Sequence, residues 1–417
     1  MSDACDCTPA THGLKPYEEA LEQLLDQARP VRETERLPLD QALGRVLAAP
    51  VEAAIDVPGW DNSAMDGYAV RLADLSAPGA RLPVSQRIPA GAAPRPLAPG
   101  TCARIFTGAP VPEGADAVVM QEHTRRSGDE VVFEKLPGPG ANIRRRGEDI
   151  RAGSTILEPG VRLQPQHLGL AASVGVPELE VHRRLKVAVL ASGDELRMPG
   201  EPLAPGQIYN SNRFTLAGML RAMGCEVVDL GQVADTFEAT RAALSDAASR
   251  ADVVVASGGV SVGEEDHVKP AVEALGRLDL WKVAIRPGKP LAFGHIGDTP
   301  FIGTPGNPVS LFVTFVLFGR PFLLKSMGLT RHRNRILRAT AAFDWPKPDK
   351  RREFHRARLI RGADGENLVE VHPSRSSAVL SSVAWANGLV VLPENRVVRA
   401  GDPVDFMPFC ELIGWGS

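Results

Sequence analysis

The chain has 417 residues, 44% hydrophobic and 23% charged, with 47 basic against 50 acidic side chains and a formal net charge of -3. That length is enough for about three domains, and that composition fills ordinary soluble cores. The slight acidity gives no electrostatic case for nucleic acid or for an anionic membrane.

In chain order, residues 1–14 read as a loose tail, and apolar Ala20, Leu21, Leu24, Leu25 and Ala28 recur at helical spacing over 16–29, with Pro30 ending the run. A second short amphipathic segment covers residues 39–49. Residues 53–148 change character: β-type runs at 81–88, 117–121 and 130–134 alternate with Gly/Pro turns, as in a small β domain. Residues 149–182 return to mixed structure, so the β domain interrupts an elongated mixed N-terminal domain made of 15–52 and 149–182.

From residue 183 to 331 short apolar strands (186–191, 226–230, 253–256) alternate with helices (212–223, 237–249, 267–275), the pattern of a doubly wound α/β domain with a parallel sheet. The apolar stretch Val309 to Phe318 is too short for the ~20 residues of a membrane span and reads as a buried helix. Residues 332–417 read as strands again (336–343, 353–360, 368–372, 389–392), a small β-barrel-like domain. The five cysteines, Cys5, Cys7, Cys102, Cys225 and Cys410, are few, odd in number and scattered, which argues against a disulfide framework and for a reducing cytoplasm. Cys5 and Cys7 lack a second ligand pair at a zinc-site spacing, and the polar N-terminus lacks the layout of a signal peptide.

Parallel sheets bind ligands beyond the carboxyl ends of their strands. After the predicted strands come Ser192-Gly-Asp-Glu195, Gly231-Gln-Val-Ala-Asp235 and Ser257-Gly-Gly-Val-Ser-Val-Gly-Glu-Glu-Asp266. Gly258, Gly259 and Gly263, with Ser257 and Ser261, suit a loop whose backbone N–H groups surround a phosphate, although a tight turn is the plainer reading. Glu195, Asp235 and Asp266 would repel a phosphate unless a cation lay between, which points to Mg²⁺ held by Asp235 and Asp266; singly, each could merely cap a helix. Lys282, Arg286 and Lys289 surround a turn, the first two on one strand face, and Gly303-Thr-Pro-Gly-Asn-Pro308 fixes the loop before the apolar helix. Asp61-Asn-Ser-Ala-Met-Asp-Gly-Tyr68, the basic Arg144-Arg-Arg-Gly-Glu-Asp149 and Pro373-Ser-Arg-Ser-Ser377 are weaker candidates that also fit exposed charged turns.

Together Asp61-Asn-Ser-Ala-Met-Asp-Gly-Tyr-Ala69, Phe106-Thr-Gly-Ala109, Gly147-Glu-Asp149, Ser192-Gly-Asp-Glu-Leu196, Ser257-Gly-Gly-Val-Ser-Val-Gly263, Pro287-Gly-Lys-Pro290 and Pro305-Gly-Asn-Pro-Val-Ser310 stand in an order that resembles the MoeA family, the molybdopterin molybdenumtransferases, counterpart of the gephyrin E domain. The resemblance spans roughly residues 15–417 and implies four domains, including a MogA/MoaB-like pterin-binding α/β domain. It implies a homodimer in which the α/β domain of one chain faces the β domain of its partner.

The implied reaction takes adenylyl-molybdopterin and molybdate to the molybdenum cofactor and AMP, with Mg²⁺ near Asp235 and Asp266. The glycine-rich loop and Lys282 would hold phosphate, Arg144 and Ser376 would lie near molybdate, and Asp66, Thr107, Asp149, Glu195, Pro305 and Pro308 match functional or shape-setting positions. Implied protein partners are the adenylyltransferase upstream and maturation proteins downstream. The chain departs from the usual family pattern at Ala191-Ser192, at Arg286 where lysine is common, and at Thr304 where leucine is usual. Two other readings are a molybdopterin adenylyltransferase, which typically has Thr-Gly-Gly-Thr-Gly where this chain has Ser257-Gly-Gly-Val-Ser, and a non-catalytic cofactor-binding scaffold.

Overall fold

The computed structural model describes residues 13–259, 267–288 and 290–410. Helix Tyr17–Leu25 buries Ala20, Leu21, Leu24 and Leu25. It ends before the predicted residue 29 because the N–H groups of Gln27 and Ala28 donate back to Leu24 and Leu25 in a tight turn (3.1 and 3.0 Å). The helix expected at 39–49 shrinks to the single turn Leu39–Gln41. There Val46 and Leu47 bridge to Arg162 and Val181, and Gly44 takes φ 75°, a left-handed conformation outside any α-helix.

Strand Thr34–Pro38 pairs with Glu178–His182, and Val51–Glu52 pairs with Thr155–Leu157. The segments flanking the β domain therefore hold each other. The chain enters and leaves that domain at one joint, where Ala53 N donates to Ser154 O (2.9 Å) and Gly153 N to Ala53 O (2.7 Å).

The β domain is a six-stranded sheet in the order Ala117–Met120, Gly67–Val70, Cys102–Ile105, Ala80–Ile88, Glu130–Phe133, Thr124–Ser127. Alternate residues serve two cores: Tyr68, Val70, Cys102 and Val119 on one face, Ala69, Ala103, Ile105 and Val118 on the other.

The α/β sheet runs Glu226–Val233, Lys186–Ser192, Val253–Ser257, Thr299–Thr304, Pro290–Ile296, Gly276–Lys282. The first four strands pair in parallel and the last two pairings are antiparallel, an extension that periodicity did not separate from loops. Val187, Val189, Val253 and Val255 pack on one face, while Ala188, Leu190, Val254 and Ala256 pack on the other. Burial on both faces is why these strands read as continuous apolar runs. Beneath the first face runs the helical segment Pro308–Ser326, of mean hydropathy 1.5, whose most apolar window is 94% buried inside the protein. It is the expected core helix, extended by a π-turn over Phe315–Gly319.

The C-terminal strands Leu337–Ala341, Asn367–Val371, Arg352–Arg361, Gly388–Leu392 and Pro403–Pro408 pair in a ring and close a small barrel. Its last strand and the short helix Ser381–Trp385 were not anticipated from periodicity.

Candidate functional site

The four parallel strands end at Ser192, Val233, Ser257 and Thr304, with Ala191 beside Ser257 and Ser257 beside Thr304. The chain passes from Lys186–Ser192 to a strand on one side and then returns to Val253–Ser257 on the other. The crevice at such a reversal is where open α/β sheets take ligands. Gly258 and Gly259 both adopt positive φ (81° and 70°), as the sequence led us to expect of a loop with close backbone approach. Gly258 N donates to Thr304 O (3.1 Å), so Gly259 supplies the first backbone donor not tied to that neighbouring strand. The neighbouring loop comes close: a Cβ at Gly306 would lie 3.9 Å from Gly258 Cα. Asn212 joins the two loops, its amide donating to Ser257 Oγ (3.0 Å) and Gly306 O (2.7 Å). Thr304, where the family usually has leucine, is fully buried and its hydroxyl donates to Ala256 O (2.8 Å).

Neither Glu195 nor Asp235 caps the helix that follows it. Asn210 caps Ser211–Ala222 and Thr236 caps Phe237–Arg250. Asp235 Oδ1 accepts from the Ser192 hydroxyl (3.0 Å), and no ion pair links Asp235 to a described cation. Its strand is longer than predicted, reaching Val233, so Gly231 lies within the strand and only Ala234 and Asp235 precede the cap. Glu195 folds back over Gly193, and the φ of 150° at Gly193 is a backbone conformation that favours glycine. Ser261, Gly263, Asp266 and Lys289 lie outside the described residues.

Lys282 ends the outer strand Gly276–Lys282, which runs parallel in direction to Thr299–Thr304, so its side chain starts from the same sheet edge. Arg286 corrects an expectation: it does not share a strand face with Lys282. The outer strand stops at Lys282, and Ile285–Arg286 pairs instead with the barrel strand Arg352–Arg361. The Arg286 guanidinium pairs with Asp349 (2.9 Å) and approaches Glu353 (3.9 Å), so its charge is balanced within the barrel. Arg351 and Arg286 also hold the Asp349 carboxyl well below the usual carboxylate range, against its burial. Gly288, at φ 95°, packs against the core helix, where a Cβ would meet Thr314 Oγ1 at 2.4 Å.

Ser376 reaches the same edge from the barrel. Pro308 opens the core helix, and Val309 N donates to Ser377 O (3.0 Å), so the loop carrying Ser376 docks beside Pro305 and Pro308. Sequence reasoning missed what holds that loop. Arg356 is 1% exposed, lies in the strand Arg352–Arg361, and has no carboxylate partner among the described residues. It donates to Ser382 Oγ (2.9 Å) and to the carbonyls of Ser374 and Ser376. A dense arginine strand gives no sign of which member turns inward.

The β-domain residues form a second group. Asp66 Oδ1 accepts from both the backbone N–H and the hydroxyl of Thr107 (2.8 Å each), which hold its carboxyl below the usual range, with a smaller contribution from Arg104. Strand Ile143–Arg144 pairs with Asn62–Ser63 and sets the basic triplet beside the Asp61 loop. Arg145 pairs with Asp61 (2.6 Å) and Arg146 with Asp56 (2.5 Å), as exposed charged turns do. Arg144 is exposed and has no ion pair with a described residue. Asp149 is exposed at the joint, its N–H donating to Val57 O (3.1 Å). Among the described residues, no hydrogen bond joins these β-domain positions to the strand-end loops.

The strand-end group offers two carboxylates, Glu195 and Asp235, that pair with no described cation, a glycine-rich turn and a lysine, a set suited to an anion with a divalent cation. The β-domain group offers an oriented carboxylate and an unpaired arginine. A cavity of 480 Å³ lies at the opposite ends of the parallel strands, but its Arg183 and Asp252 are locked in a two-point pair (2.7 Å each).

Residues 15–175 match the MoeA N-terminal region (domain I and II), 188–325 a probable molybdopterin binding domain, and 338–409 the MoeA C-terminal region (domain IV). The chain is 41% identical over 401 residues to a molybdopterin molybdenumtransferase of Haemophilus influenzae, covering 95% of this chain and 99% of the relative. It is 40% identical over 404 residues to molybdopterin molybdenumtransferase 2 of Mycobacterium tuberculosis, covering 93% and 97%. Its fold is similar to the crystal structure of the molybdopterin biosynthesis moeA protein from Pyrococcus horikoshii, with a TM-score of 0.82, 30% identity, and 95% and 100% of the two chains covered.

Proposed function

The chain belongs to the MoeA family of molybdopterin molybdenumtransferases, transferases of molybdenum cofactor biosynthesis, and from that premise we propose how its residues divide the work. The substrates are adenylyl-molybdopterin and molybdate, and the products are the molybdenum cofactor and AMP. The observation that carries the reading is Asp235, unpaired by any described cation and bonded to Ser192, the residue whose carbonyl lies 3.7 Å from the Cβ position of Gly258 at the strand-end crevice.

Among the described residues no three carboxylate, imidazole or thiol groups converge into a metal cage. Carboxylates free of described cations at the same sheet edge as a phosphate loop suit Mg²⁺, which takes one or two carboxylates and completes its shell with substrate oxygens and water. Asp235, with Asp266, would hold that ion, which when bound neutralises charge on the pyrophosphate as its bond to AMP breaks. Gly259 and Lys282 face the same phosphates, and Glu195 borders them. Ser376, held by the Arg356-braced loop, lies on the molybdate side. Arg286 is left out of the binding set because Asp349 already engages it.

Asp66, Thr107, Arg144 and Asp149 complete the site from the partner in a homodimer, since their own chain does not bring them to its strand ends. The protein partners are the cytoplasmic adenylyltransferase that makes the substrate and the maturation proteins that take the product.

The test is AMP release from adenylyl-molybdopterin by the full-length protein, with molybdate and Mg²⁺ each omitted in turn. The expected result is release that needs both and yields active cofactor. Release indifferent to molybdate would overturn the reading, and adenylylation of free molybdopterin from ATP would replace it with the adenylyltransferase.

A further inference from the structure

The β domain carries a cationic array that the reading above leaves unassigned. Strands Ala80–Ile88 and Cys102–Ile105 run parallel, and their register sets Arg87 directly beside Arg104. Phe106 follows the second strand, and its N–H donates to Ile88 O (3.3 Å), which fixes the ring at the end of this face. Both guanidiniums lie 4.6 Å from the Phe106 ring centroid. Two like charges side by side across a ladder repel, and an aromatic face offsets only part of that cost.

Neither arginine has an ion pair with a described residue. Arg104 is held in place, donating to Gly67 O (3.2 Å) and Gln121 Oε1 (2.7 Å) and lying 5.2 Å from the Tyr68 ring. Arg87 is exposed, and none of its donors is taken up by a described residue. The nearby acids are otherwise engaged: Asp66 is bound by Thr107, and Glu122 accepts from the Gln121 amide (3.3 Å). An array with one fixed guanidinium, one free guanidinium and only the more distant Asp66 carboxylate acting on Arg104 keeps net positive charge for an anion. Arginine forks match the paired oxygens of a tetrahedral oxyanion.

We propose that Arg87 and Arg104, bracketing Phe106, form a receiving site for a dianionic tetrahedral oxyanion next to Thr107. Resting on the transferase reading, two sources carry that chemistry: the terminal phosphate of AMP as it is released, or molybdate. The site belongs to the β domain, and among the described residues no hydrogen bond joins it to the glycine-rich loop of its own chain.

AMP and molybdate are titrated separately by calorimetry into the full-length protein and into Arg87→Gln, which leaves every described hydrogen bond of Arg104 in place. The expected result is about tenfold weaker binding of one anion, the scale of a charge-assisted hydrogen bond, with partial recovery in Arg87→Lys. Loss confined to AMP assigns the adenylyl phosphate, and loss confined to molybdate assigns the metal oxyanion. Equal affinity of wild type and Arg87→Gln for both anions, or no binding of either by wild type, overturns the proposal. Molybdate-dependent AMP release is scored on the same proteins, so the transferase reading stands or falls separately.

Discussion

The strand-end crevice and the β-domain cluster use the same residue types but organise them differently. At the strand ends, position comes from the sheet: Ser192, Ser257 and Thr304 are set by parallel register, and each loop inherits its direction from a buried strand. In the β domain, position comes from polar contacts between side chains and turns, as when Thr107 fixes Asp66 and Asp61 fixes Arg145. A sheet edge tolerates loss of a single loop contact, whereas a turn held by one carboxylate does not. Among the described residues no hydrogen bond joins the two groups within one chain, which is what the proposed sharing of the site between two copies requires.

The sharpest way to break the comparison is to disable one group in each of two chains. Asp235→Asn alone and Asp66→Ala alone should each lower turnover on the order of a hundredfold. Coexpressed in equal amounts, they should recover about a quarter of wild-type activity, because random pairing makes half of the dimers mixed and each mixed dimer holds one intact site. No recovery would place both groups in a site made by a single chain.

Next in size is the brace on the barrel loop. Arg356→Met removes the donors to Ser374, Ser376 and Ser382 while filling much of the same space. Losing three hydrogen bonds from a charged donor, one of them to the buried Ser382 hydroxyl, should cost roughly 3 kcal/mol, read as a lower thermal midpoint together with weaker molybdate dependence of turnover. An unchanged midpoint would remove the barrel loop from the strand-end group.

The smallest effect is in pH. Burial pushes the His355 imidazole down from 6.5 to about 4, with Arg356 and Arg375 adding to it and a contact to His372 O (2.7 Å) opposing it. Because the folded value lies below the unfolded one, the unfolded chain takes up the proton first. The barrel's full stability is therefore present above about pH 6.5 and declines as pH falls toward 4. By pH 5 the loss should reach about 2 kcal/mol, seen as a drop in thermal midpoint that His355→Gln lacks. Equal pH slopes in both proteins would mean that His355 is protonated in the fold.

The α/β strands and their terminal loops were legible in the sequence because burial on both faces writes an unbroken apolar run, as at Val253–Ser257, and ligand loops follow such runs. Asp235 could be found that way. What was not legible depends on distant pairing. The segment 39–49 has helical spacing but is captured by Arg162 and Val181. Arg286 looks like a phosphate ligand until Asp349 takes it, and nothing in the Arg144-Arg-Arg triplet tells which of the three lacks an acidic neighbour. Arg356 sits among exposed-looking arginines, and only closure of the barrel turns it inward.

The joint of the β domain also makes it a detachable module. Ala53 exchanges backbone hydrogen bonds with Gly153 and Ser154 (2.7 and 2.9 Å), so the entering and leaving chains are already opposed like the last rung of a hairpin. A short turn in place of residues 54–152 would reconnect Val51–Glu52 to Thr155–Leu157 without stretching either strand. On the proposed sharing of the site between two copies, the trimmed chain would keep its crevice and barrel, lose its contribution to the partner's site, and work only when mixed with intact copies.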